Sequence, residues 1–226
     1  MEKEKIKIRI LPNKFLRLNG TFNKKRALRL CGKIAGECYD EEGFDRINHE
    51  PKKKTIARIN RTLDSQHFSV YDHIYVSFEL KKIPKILAMV LNNEHQYTTA
   101  EKSARYTKVK REEKSIITED EERLYNKWLD IFKIKIKSQY GKVYSDGKIR
   151  TLAQENARYL VSVFMPTQMV YSTTLRQINC IASWMQDYIE KADMNNYFEK
   201  QLSFYMQKLL TSFDDANFLE ERLMKN

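Results

Sequence analysis

Glycine and proline are scarce, at 6 and 4 of 226 residues, and no repeat or low-complexity stretch interrupts the chain. With no flexible linker to separate modules, a single domain over residues 1–226 is the simplest organisation. Cysteine is equally sparse. Cys31, Cys38 and Cys180 form an odd set without CxxC spacing, which fits reduced thiols in a reducing compartment rather than a disulfide framework. The four histidines, His49, His67, His73 and His95, include no HExxH pair, so no metal site of that kind is expected. No apolar run approaches the ~18 residues that a membrane span needs. The opening Met1-Glu2-Lys3-Glu4-Lys5 shows no signal-peptide pattern, so a cytoplasmic protein without a membrane partner is expected.

What the chain has is charge of one sign and enough apolar mass for a core. Lysine and arginine number 41 against 30 acidic residues, a net +11, and apolar residues make up 42%. That share argues against wholesale disorder. The positive balance favours an anionic partner, whether nucleic acid, nucleotide, flavin phosphate or folate glutamate. Local basic runs occur only at Lys52-Lys53-Lys54 and between Lys108 and Lys114, and neither forms a nucleic-acid module.

Periodicity predicts the elements. Ile6 to Ile10 alternates as a half-buried strand, and helical spacing covers Asn23 to Cys38 and, more weakly, residues 52 to 65. Val70 to Leu80 is rich in β-formers. Pro84 stands near the start of a helix through Leu91, which delivers a polar loop from Asn93 to Tyr106. Thr118, with Glu121 three residues on, makes a capping box for a helix to Gln139. A turn-rich stretch at 140 to 147 precedes a helix from Arg150 to Leu160, and Val161 to Thr173 reads as a strand that Pro166 makes an edge or a bulge. Helices follow at Thr174 to Glu190 and Asn195 to Thr211, with a short acidic helix from Asp214. Helices around a modest mixed or antiparallel sheet define an α+β class. Cys38 and Cys180, set among apolar neighbours, read as core residues.

The loop from Asn93 to Tyr106 places a carboxylate, a hydroxyl and a guanidinium at alternate positions, Glu101, Ser103 and Arg105. Arg105 and Ser103 suit a phosphate, and Glu101 can accept hydrogen bonds from a base or sugar. Spacing alone leaves open a polar loop that merely caps its neighbours.

Ser103-Ala104-Arg105-Tyr106 resembles part of the signature of the flavin-dependent thymidylate synthases, which runs Arg-His-Arg, seven residues, then Ser-x-Arg-Tyr. The spacing is kept when Asn93-Glu94-His95 stands in place of Arg-His-Arg, so both signature arginines are replaced. Three other segments resemble the family in the same order. His67-Phe68-Ser69-Val70-Tyr71-Asp72-His73 is similar to its His-x-Ser/Thr turn before a strand. Gly36-Glu37-Cys38-Tyr39 is similar to the end of its first helix. Ala157-Arg158 followed by Thr173-Thr174-Leu175-Arg176 is similar to its Ala-Arg…Thr-x-Asn-x-Arg pattern, with Thr174 for asparagine. Lys191 to Glu199 can be set against Arg-x-Asp-x-His-x-Gln-x-Glu, with Lys191 for arginine and Asn195 for histidine.

The resemblance implies FAD-dependent reductive methylation of dUMP to dTMP, with methylenetetrahydrofolate giving the carbon and NADPH the electrons. It implies a homotetramer whose active sites form where subunits meet, with no cysteine nucleophile. On this reading Ser69, Asp72, His95, Arg176 and Asn195 face the flavin. Glu101, Ser103, Arg105, Arg158 and Lys191 face the nucleotide, and Arg105 and Lys191 stand closest to the chemistry. The protein orients and polarises the uracil, while the cofactor carries the difficult step. Two alternatives stay open: a relative acting on another pyrimidine nucleotide or lacking catalysis, and a basic, non-enzymatic nucleic-acid-binding protein.

Overall fold

The structure, a computed structural model, describes residues 6–94, 96–103 and 117–224. Its elements are β1 (Lys7–Ile10), α1 (Lys24–Ile34), α2 (Phe44–Asn48), α3 (Lys52–Asp64), β2 (Tyr75–Pro84), α4 (Lys85–Leu91), β3 (Tyr97–Glu101), α5 (Glu119–Tyr140), α6 (Asp146–Ala157), β4 (Pro166–Thr174), α7 (Leu175–Lys191) and α8 (Tyr197–Asp215). The four strands form one sheet in the order β1-β2-β4-β3. β1 pairs antiparallel with β2, Ile10 opposite Phe78 and Ile8 opposite Leu80. Thr173 Oγ1 meets the Gln96 carbonyl and Thr99 Oγ1 the Val170 carbonyl, so β3 and β4 also run in opposite directions. The α+β class holds, and of the two sheet types expected the antiparallel one is found.

The chain divides into two compact units. The first comprises Met1–Lys81, Asn92–Thr99 and Val170–Asn226, and the second Lys82–Leu91 and Ala100–Met169. In the first unit, alternation along β2 turns Val76, Phe78 and Leu80 inward. Phe78 then meets Tyr171, Phe213 and Phe218 at centroid distances of 5.9, 5.9 and 5.4 Å. In the second unit, α5 and α6 enclose Ile117, Tyr125, Leu129, Ala153 and Ala157. The capping box at Thr118 forms as predicted, and Glu121 also accepts from the Ser162 amide at 3.1 Å.

Several boundaries differ from expectation, each for a local reason. The predicted strand from Val70 starts instead at Tyr75, because Phe68–His73 is a 3-10 turn that buries Val70 and Tyr71. Tyr71 bonds Thr62 at 2.8 Å, which ties the turn to α3. Pro84 stands at the helix start as expected, closing β2 immediately before α4 begins at Lys85. α1 stops at Ile34, and a 3-10 turn at Glu37–Tyr39 leaves Cys38 exposed instead of in the core. β3 was hidden in the polar loop, since its inward residues Tyr97, Thr99 and Glu101 give little apolar contrast. α6 starts at Asp146, four residues early, capped by Ser145. Pro166 is the first residue of β4, a position proline tolerates, and β4 lies between β2 and β3 rather than at an edge. The acidic pair Asp214 and Asp215 ends α8, and among the described residues a 3-10 turn at Glu221–Leu223 follows instead of a helix.

Candidate functional site

In the first unit, residues about a hundred positions apart meet at the start of α7. Asp72 lies at the end of the 3-10 turn, where Val70 and Tyr71 are pinned in the core. Its Oδ1 accepts a hydrogen bond from Thr174 Oγ1 at 2.8 Å, and its Oδ2 accepts from Arg176 Nη1 at 2.9 Å. Thr174 is the N-cap of α7 and also accepts from the Gln177 amide at 3.1 Å. The Ile74 carbonyl accepts from the Leu175 amide at 2.8 Å, which fixes the turn against the helix start. The side chains of Asp72 and Arg176 are 24% and 39% exposed, so the pair is accessible yet partly shielded from water. Ser69 is exposed, three residues before Asp72; in a 3-10 turn, residues three apart share one face.

The same corner holds polar groups that sequence reasoning missed. Gln177 Nε2 donates to Glu94 Oε2 at 3.0 Å. Gln96, which carries a positive φ of 58° without being glycine, accepts from Thr173 Oγ1 at 2.7 Å through its carbonyl. Such left-handed residues are costly for side-chain-bearing positions and persist only where neighbours hold them. Tyr97 stacks on Tyr171 with centroids 5.5 Å apart and planes 10° from parallel. Burial pushes the Tyr171 phenol well above its ordinary range and raises the Cys180 thiol despite Arg176 nearby. Cys180 itself is half-buried.

The second unit holds a second cluster, around Glu101. Its Oε1 accepts from Lys85 Nζ at 2.7 Å and from Thr167 Oγ1 at 3.1 Å. Lys85 is held by its amide to the Met165 carbonyl at 2.8 Å, and the Lys102 amide bonds the Gln168 carbonyl at 2.9 Å. Lys85 and Thr167 escaped sequence reasoning because 16 and 66 residues separate them from Glu101. Ser103 is half-buried. Arg158, at the end of α6, lays its guanidinium 5.2 Å from the Tyr159 ring centroid. Arg105 and His95 lie outside the described residues.

Lys191 and Asn195 stand apart from the Asp72 corner. Lys191 is the last residue of α7 and exposed, fifteen residues from Arg176 and so about 22 Å along the helix axis. The exposed Asn195 donates its amide to Asp193 at 2.9 Å. Among the described residues, no group of three His, Cys, Asp or Glu side chains could hold a metal ion, and no helix is long and apolar enough to cross a membrane.

An antiparallel sheet whose central strand β4 feeds a polar, arginine-bearing helix start places the chain in a definite class of α+β proteins. Residues 22–208 match the model of the family described as thymidylate synthase complementing protein, and the chain belongs to that family. A solved thymidylate synthase X from Helicobacter pylori, with FAD and dUMP, shares the fold at a TM-score of 0.52 and 18% identity, covering 98% of this chain and 100% of that one. A UMP/dUMP methylase, PolB, from Streptomyces cacaoi, bound with 5-Br dUMP, matches at a TM-score of 0.52 and 12% identity over 95% and 92% of the two chains. At these identities the likeness concerns the fold. No curated protein matches the chain in sequence.

Proposed function

We propose that this protein is a flavin-dependent thymidylate synthase that converts dUMP to dTMP. The observation that carries the reading is the Asp72–Thr174–Arg176 cluster. The resemblance assigns Asp72 and Arg176 to the flavin from two distant segments, and the fold brings them to one corner. The donor chemistry suits FAD. The guanidinium has five N–H donors, so an Arg176 oriented by Asp72 keeps others for a pyrophosphate, with the exposed Ser69 hydroxyl on the same turn as Asp72. When bound, the flavin supplies hydride to the methylene carbon delivered from methylenetetrahydrofolate, with NADPH as the source of electrons. The balance is dUMP, methylenetetrahydrofolate, NADPH and a proton giving dTMP, tetrahydrofolate and NADP+.

The chain's own residues bind and orient. Glu101, fixed by Lys85 and Thr167, accepts from the sugar or base of dUMP. Ser103, Arg105, Arg158 and Lys191 take its anionic groups, and His95 and Asn195 remain assigned to the flavin. A site that uses both Arg176 and Lys191 needs two copies of the chain, because α7 separates them within one. Exposed Tyr197, Phe198 and Phe204 on α8 (63%, 42% and 44%) offer aromatic contact area for such an assembly, and we propose a homotetramer of single-domain chains. The Streptomyces cacaoi neighbour, described as a UMP/dUMP methylase, gives specific weight to a second reading in which UMP is also a substrate.

The test is to incubate the purified protein with FAD, NADPH, methylenetetrahydrofolate and either dUMP or UMP, and to identify products by mass spectrometry. dTMP from dUMP is the expected result. Methylated product from UMP as well would establish the second reading. No methylated product from either, with no flavin retained, would overturn both and favour the basic nucleic-acid-binding alternative.

A further inference from the structure

A separate cavity of 470 Å³ lies in the first unit, beside α1 and the start of α3. Ligand pockets commonly enclose ~300–1,000 Å³, so its size suits a small molecule. Five cations line it: Lys14, Arg26, Arg29, Lys33 and Lys52. Phe15 and Leu30 supply an apolar wall. None of these residues belongs to the cluster around Asp72 or to that around Glu101. On α1 the cavity residues Arg26, Arg29, Leu30 and Lys33 follow helical spacing, on a different stripe from the buried Ala27 and Cys31.

The charge is set against local electrostatics. A helix N-terminus carries partial positive charge and favours acids in its first turn. The first turns of α1 and α3 contain none; they read Lys24-Lys25-Arg26 and Lys52-Lys53-Lys54. Arg26, Arg29 and Lys33 add like-charge neighbours at spacings of three and four, which destabilise a helix. Nor is the charge cancelled nearby. The lining carboxylate, Glu50, is held by Arg58 in a bidentate pair at 2.8 and 2.9 Å and bonds Thr55 at 2.7 Å. Lys33 is anchored on Asn48 and Lys14 lies 5.2 Å from the Phe15 ring centroid. Among the described residues, the side chains of Arg26, Arg29 and Lys52 have no ion pair or hydrogen bond. A multiply charged anion would satisfy these cations, and arginine matches phosphate oxygens through two parallel hydrogen bonds.

We propose that this cavity binds an oligophosphate anion, of the kind a nucleoside di- or triphosphate carries, at a site distinct in its residues from those assigned to FAD and dUMP. Inorganic tripolyphosphate is the probe, titrated calorimetrically into the full-length protein in about 0.15 M salt, where diffuse surface charge is largely screened. Binding is expected, and it should persist in saturating FAD and dUMP. The double variant Arg26→Ala/Arg29→Ala should weaken it by about tenfold or more, while Lys135→Ala on α5 leaves it unchanged. The double variant should melt no lower than the parent in the absence of ligand, because it removes repulsion. Equal binding by the double variant, or an equal loss in Lys135→Ala, would make the signal non-specific charge and overturn the proposal. Displacement by FAD would assign the cavity to the flavin site instead. A lower melting temperature would show that the two arginines serve the fold.

Discussion

Glu101 illustrates how much of a site one residue's neighbours decide. The alternation of Glu101, Ser103 and Arg105 offers a candidate binding loop in the sequence, but gives no hint that Lys85 clamps the carboxylate at 2.7 Å with Thr167 beside it. Lys85 follows Pro84 at the end of a strand, a position that reads as helix entry. Its charge supplies a cation directly beside Glu101. The carboxylate is 12% exposed and the lysine 36%, so the pair is partly shielded and its removal leaves a carboxylate short of a partner. Lys85→Met should therefore weaken dUMP binding by about tenfold, the worth of one charged hydrogen bond, with FAD affinity unchanged. Parallel titrations with the two ligands check this; an equal loss for both would mean that Lys85 supports the fold rather than the nucleotide.

At the scale of elements, packing decides what periodicity leaves open. α1 and α3 approach so closely at Gly32 that a Cβ there would lie 2.5 Å from Ile59 Cγ1 and 2.9 Å from the Thr55 carbonyl oxygen. Backbone cannot give way cheaply, so Gly32→Ala should destabilise the protein by about 1–3 kcal/mol, read as a lower denaturation midpoint. Such an approach is invisible in sequence, where Gly32 reads only as a weak point in a helix. The long helices were legible because their apolar stripes repeat every three to four residues, and the Thr118–Glu121 capping box was legible because it is local chemistry. β3 was not, since an edge strand with half-buried polar residues has no apolar contrast. Periodicity alone extends the strand back to Val70, because Val70 and Tyr71 are strand formers whose burial follows from tertiary contacts with α3; the turn at Phe68–His73 is legible only through the resemblance. Asp72, Arg158 and Arg176 were legible as candidates only through order along the chain, and the corner that joins Asp72 to Arg176 is a product of the fold.

For the whole molecule, burial sets an alkaline limit. Cys31 is fully buried, and burial pushes its thiol from 9.0 to about 12; Tyr71 is raised from 10.0 to about 12 for the same reason. A raised folded-state value means that the unfolded chain loses the proton first. The stability these groups contribute is therefore complete below about pH 9 and is lost as pH rises towards 12, at about 1.4 kcal/mol per pH unit for each ionising group. Denaturant titrations at about pH 8 and about pH 10.5 should show this fall, with a smaller fall in Cys31→Ala; a flat profile would contradict it. The proposed function rests on the corner where Arg176 donates to Asp72. The most direct measurement is FAD titration by fluorescence quenching for the parent protein, Asp72→Ala and Arg176→Ala. The parent should bind FAD, and each variant should weaken binding by about tenfold or more while keeping its fold by circular dichroism. FAD binding of parental strength in both variants would contradict the assignment of this corner to the flavin.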